Sequence, residues 1–149
     1  MYTINEKKLK YKSEHTKLDC ECPPTESFTH KNVEAFRWVH KDFNHENNFK
    51  PVLLITPSRI DEIDSCESQC SGYGLSLFID EKKAEKKLIS YLKRKPMLSE
   101  IFGDSIAVGK IDKEDGVINE PDKKGHFTFH ESDKSNIKLK FEFLKTCEF

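Results

Sequence analysis

Several residues in this 149-residue chain have the types and spacing for chemistry. One set is His126-Phe127-Thr128-Phe129-His130 followed by Glu131. Extended backbone projects His126, Thr128 and His130 from one face and the phenylalanines from the other. The pattern predicts a solvent- or groove-facing polar side of a strand with the phenylalanines in the core; the alternative is a ligand groove in which either imidazole binds an anion or transfers a proton. At ~3.3 Å per residue the two imidazoles stand about 13 Å apart, too far to hold one ion together. A metal-dependent enzyme built on them therefore needs ligands from elsewhere.

The cysteines are a second set. Cys20 and Cys22 form C-x-C, Cys66 and Cys70 form C-x3-C, and Cys147 stands near the end. Four thiolates suit zinc, but neither spacing is the C-x2-C knuckle of ribbons and fingers. Cys66 and Cys70 recur with Ile60 and Ile63 on the face of a helix opened by Ser58 and stopped by Gly72. That pattern predicts small apolar core thiols and no metal.

Ser76 stands in Gly72-Tyr73-Gly74-Leu75-Ser76-Leu77-Phe78. No glycine follows it at the spacing of a hydrolase elbow, and two glycines away from a helix start do not make a phosphate loop. The segment instead predicts a strand running into a helix with Asp80 as N-cap. In that helix Glu81 lies in the first turn, Lys93 and Arg94 in the last, and Ala84, Leu88, Tyr91 and Leu92 on the buried stripe, before Pro96 stops it.

Around this unit, Ala35-Phe36-Arg37-Trp38-Val39-His40 predicts a strand with Phe36, Trp38 and His40 on one face and Ala35, Arg37 and Val39 on the other. Val52-Leu53-Leu54-Ile55 reads as a strand covered on both faces. Ser105–Ile111, His126–His130 and the strictly alternating Ile137–Phe143 complete the expected strands. Leu9 and Tyr11 permit a short edge strand in an otherwise peripheral segment 1–24. The sum is a single α+β domain over 1–149, with a mixed, largely antiparallel sheet and two principal helices.

Composition narrows the classes. Lys plus Arg number 25 against 26 Asp plus Glu, so no global basic field points to nucleic acid or an anionic membrane. No apolar run is long enough to span a bilayer and no apolar signal region opens the chain, which predicts a cytoplasmic protein.

Two resemblances follow from these motifs. Phe36-Arg37, Gly74-Leu75-Ser76-Leu77-Phe78 with Asp80 and Ala84, Ile106–Lys110, Gly116-Val117-Ile118, His126 and Phe129-His130 together resemble a family of small uncharacterised bacterial proteins, which implies a grouping and no mechanism. Arg37 and Ser76, in order and context, are also similar to the first two site residues of arginine-serine-glutamate ADP-ribosyltransferases. That similarity implies that Arg37 holds a dinucleotide, that Ser76 supports its nicotinamide side and that Glu120 or Glu131 stands third. Tyr73 is added as a cofactor contact, and His126 and His130 of the polar strand face join Arg37, Ser76 and Glu131 as candidate catalytic residues. The third position departs from the pattern, because Glu120 and Glu131 both lie outside an acidic doublet.

No complete catalytic set emerges, so the first expectation is an interaction module or accessory subunit of a bacterial multi-protein system, meeting a protein partner or a second copy through Trp38, Phe49 and Tyr73. An NAD-binding transferase or toxin and a histidine-based metalloenzyme are the alternatives. No cofactor is named by the sequence.

Overall fold

Alternating aromatic and β-branched residues specify β1 (Val33–Val39), the strand around which the sheet is built. The computed structural model describes residues 9–148. Along its whole length β1 pairs with β3 (Ser105–Ile111), from Val33↔Ile111 to Val39↔Ser105. Its other neighbour, β2 (Leu75–Phe78), meets it at a single register pair, Phe36↔Phe78. Beyond β2 lie β5 (His126–Glu131) and β4 (Gly116–Ile118), and β6 (Phe141–Thr146) closes the far edge beside β3. The α+β class holds. Every strand pair among the described residues is antiparallel, so the sheet is not mixed.

Strand alternation sorts the core into two layers. Ala35, Val39, Leu75, Leu77, Phe127 and Phe129 bury on one face, against Ile137 and Phe141 and the flanking Phe43 and Phe49. Phe36, Phe78 and Ile106 bury on the other, under Ala84, Leu88 and Leu92 of one long helix, Glu81–Arg94. Each buried Leu, Ile, Val or Phe side chain contributes about 2 kcal/mol, against the entropy of ordering the chain. The Asp80 carboxylate caps the long helix by accepting the Lys83 N–H at 2.9 Å, and the helix stops before Pro96, both as the sequence predicts.

Elsewhere the structure corrects the sequence. Val52–Ile55 is a single helical turn instead of a strand. The run is only four residues between Pro51 and Pro57, too short for periodicity to decide, and only Leu53 is fully buried. The helix expected over 58–70 is broken into a 3-10 turn, Pro57–Glu62, and a short helix, Cys66–Gly72. Ser65, not Ser58, caps the latter, its Oγ accepting the Ser68 N–H at 3.1 Å. Ile137–Lys140 is a 3-10 turn despite its strict alternation, because the buried Glu131 carboxylate takes the Ile137 N–H at 3.0 Å and turns the chain there. The strand begins only at Phe141.

Cys66 and Cys70 are not free core thiols. Cys20 is bonded to Cys66 and Cys22 to Cys70. These two bridges fasten the segment expected to be peripheral, of which 1–8 lies outside the described residues. Leu9 makes one bridge to Ser132 instead of an edge strand, Lys12–His15 is a helical turn, and Leu9, His15 and Cys22 are buried. No helix among the described residues is long and apolar enough to cross a membrane.

Candidate functional site

Past Phe36↔Phe78 the strands β1 and β2 part, and Arg37 fills the gap. Its Nε–H donates to the Asn48 carbonyl at 2.9 Å, Nη1 to the Ser76 carbonyl at 3.0 Å and Nη2 to the Lys50 carbonyl at 3.4 Å. Asn48 sets up this arrangement. Itself buried, it accepts the His40 N–H on Oδ1 at 2.7 Å and donates from Nδ2 to the carbonyls of Asp42 and Phe43, both at 3.1 Å. The loop after β1 is thereby folded back until its carbonyls face the guanidinium. Burial lowers Arg37 to about 10, which leaves it protonated at neutral pH.

Ser76 points from β2 into the same opening. The β2–β5 register aligns Ser76 with Thr128 and Phe78 with His126, and the imidazole leans across so that Nε2 lies 3.0 Å from Ser76 Oγ. Burial and the nearby Lys87 charge hold His126 below its ordinary 6.5, against the opposing pull of Asp122. Asp122 Oδ2 stands 4.0 Å from His126 Nδ1, beyond hydrogen-bond reach. Its Oδ1 accepts the backbone N–H groups of Lys124 at 2.8 Å and His126 at 3.0 Å. Burial pushes the Asp122 carboxyl up, and these donors outweigh it and hold the group below the usual range.

The result is a cleft of about 360 Å³. Lys50, Arg59 and Lys87 join Arg37 on its walls, and Trp38, Phe78, Tyr91 and Phe102 form an aromatic side. Trp38 stacks on Phe78 with centroids 5.2 Å apart, and its indole N–H donates to the Ala84 carbonyl at 2.9 Å. Among the described residues lining the cleft there is no aspartate or glutamate. Arg59 is shared with Glu62, whose Oε2 stands 3.8 Å from its Nε outside the lining, and the remaining excess of cations favours anions in the cleft.

Of the residues singled out from sequence, Arg37, Ser76 and His126 meet here. His130, Glu131 and Tyr73 do not. His130 is fully buried beyond Gly74, with Cε1 3.1 Å from where a Cβ on that glycine would stand. Thr128 is buried as well, so only the His126 end of the expected polar strand face reaches a groove. Glu131 is buried in a structural role, with Oε2 2.9 Å from Lys10 Nζ and accepting the Ile137 N–H. Tyr73 is buried at the end of its helix, its ring 6.2 Å from that of His15. Glu120 lines a different depression, with Pro121 and Ile118.

Sequence reasoning missed Lys50, Asn48, Arg59, Lys87 and Asp122. Lys87 and Tyr91 are four residues apart on one helix flank, a spacing that could have marked them as a pair. Nothing local marks Asn48, whose role depends on how the loop folds back. Compared with known proteins, the chain matches no family model, no curated protein and no solved structure.

Proposed function

We propose that the cleft binds an anionic ligand carrying a planar ring, a nucleotide in chemical class. Lys50, Arg59 and Lys87 take the anionic end, the aromatic side takes the ring, and Ser76 with His126 offers neutral hydrogen-bonding groups between them. The observation that carries this reading is a concave surface with four cations, four aromatic rings and no lining carboxylate. The test is calorimetric titration with a panel of mononucleotides and dinucleotides, repeated on Lys87→Ala combined with Arg59→Ala. At least one member binds the wild type, and the double variant loses tenfold or more in affinity. Equal binding to both proteins, or no binding at millimolar ligand, overturns the proposal.

Shared placement of Arg37 and Ser76 supports keeping a dinucleotide such as NAD in that panel. A transfer from its ribose needs a carboxylate beside the sugar, and the cleft lining has none, so the reading favoured here is binding without transfer. Release of nicotinamide that is lost in Ser76→Ala would reverse this order.

An interaction-module role is compatible with ligand binding. Its support is the sheet edge at β6, where Phe143 and Leu144 are exposed, with Leu139 exposed in the turn just before it. An open edge accepts a further strand from a partner. Location is tied to redox state, since disulfides persist in oxidising compartments and cytosolic thiol systems open them. The cytoplasmic reading therefore describes the chain with its cysteines reduced.

A further inference from the structure

The second set of chemical residues assembles on the far side of Gly74. Cys22, Cys70 and His130 come from three separate parts of the chain, and their ligand atoms lie within 4.8 Å of one another. Cys70 Sγ is 3.8 Å from His130 Nε2. All three side chains are buried, His130 to 1% exposure. A sulfur and an imidazole nitrogen on one tetrahedral zinc ion stand about 3.5 Å apart, so the pair needs only a few tenths of an ångström of closure.

His130 is an ill-satisfied group in the closed core. Among the described residues its Nδ1 has no hydrogen-bond partner, and the neighbour of Nε2 is a weakly accepting sulfur. Such a buried polar group calls for an explanation, and an ion is one of the standard ones. Gly74 keeps the imidazole in place, because a Cβ there would press on Thr128 and His130.

We propose that reduction of the Cys22–Cys70 disulfide converts this cluster into a site for a thiophilic divalent cation, zinc in class, ligated by Cys22, Cys70 and His130. A dithiol reductant supplies two electrons and two protons, the S–S bond breaks, and the reductant leaves as its own disulfide. Metal binding then displaces the two thiol protons. Two thiolates and a neutral imidazole leave a divalent ion with no net charge, which suits a buried position. The fourth position goes to water or to His15, whose ring stands edge-on to His130 at 5.0 Å. The sequence spacing hid this site, because its nitrogen ligand lies 60 residues from Cys70.

The experiment uses cobalt as an optical stand-in for zinc. The full chain is reduced without oxygen, freed of reductant and titrated with Co²⁺, with Zn²⁺ added afterwards. The expected result is thiolate-to-cobalt charge transfer and tetrahedral d–d bands saturating at equimolar metal, erased by zinc, and absent from the oxidised chain. Cys20→Ser with Cys66→Ser keeps the spectrum, Cys22→Ser with Cys70→Ser loses it, and His130→Ala weakens binding tenfold or more. Should His130→Ala fail to fold by circular dichroism, the two cysteine pairs still decide. No cobalt spectrum in the reduced wild type, or a spectrum that follows Cys20 and Cys66, overturns the proposal.

Discussion

The Arg37 guanidinium hydrogen-bonds the Ser76 carbonyl at 3.0 Å, at the point where β1 and β2 have ceased to pair. A side chain thus takes over a ladder position that the strands have given up, and it holds the cleft open in doing so. Arg37→Met leaves the carbonyls of Asn48, Ser76 and Lys50 without that donor. The Asn48 and Lys50 carbonyls are bonded in partly buried positions, where an acceptor without a partner costs about 1 kcal/mol or more each, whereas the Ser76 carbonyl is open to water. Urea unfolding of this variant is expected to show a loss of about 2 to 4 kcal/mol, and a loss below that range would mean water replaces the guanidinium freely.

Protonation of His126 adds a charge to the cleft. Its proton affinity is held below the ordinary 6.5 by burial and Lys87, with Asp122 opposing. In the folded state the ring therefore binds its proton only below that pH, whereas the unfolded chain binds it earlier, so folding stability falls as pH drops through 6.5. Anion affinity moves the opposite way, flat above 6.5 and rising below it. His40, also held low by burial and by His45, adds to the rise. Titration of nucleotide binding against pH should lose part of the slope in His126→Gln and most of it when His40→Gln is added. An unchanged slope in the double variant would assign the effect to other groups.

Gly74 is required by proximity, not by its backbone angles. A Cβ there would stand 2.6 Å from Thr128 Cγ2 and 3.0 Å from the Phe129 carbonyl. Gly74→Ala is expected to cost about 1 to 3 kcal/mol by overpacking, read from the denaturant midpoint. Gly103, at φ +76 and with a virtual Cβ 2.1 Å from the Val39 carbonyl, should tolerate alanine even less.

The two disulfides differ in access. Cys20 and Cys66 are half-buried, while Cys22 and Cys70 are buried. Limited reduction followed by alkylation and peptide mass spectrometry should label Cys20 and Cys66 first. Simultaneous labelling of all four would show that the segment opens as one unit.

How much of the fold and the cleft is legible in the sequence depends on the range of the interactions involved. β1, β2, β5 and the long helix are readable because each is specified by its own alternation, stripe and cap, as Asp80 and Ala84 illustrate. Val52–Ile55 and Ile137–Lys140 mislead because tertiary partners override a short pattern, the Glu131 carboxylate in the second case. Arg37, Ser76 and His126 stand out as residue types, but their meeting depends on β2 lying between β1 and β5. The disulfide pairing is not legible at all, since four cysteines at these spacings do not reveal which of them meet.

Trp38 is the chain's single tryptophan, and it forms part of the cleft wall. Stacked on Phe78 and bonded to the long helix through its indole N–H, it gives the protein a built-in optical gauge. A ring or anion entering the cleft alters the surroundings of that one fluorophore, with no background from another. Occupancy can therefore be followed by emission in the unlabelled, unmodified protein, which lets the cleft be screened against compounds of any class.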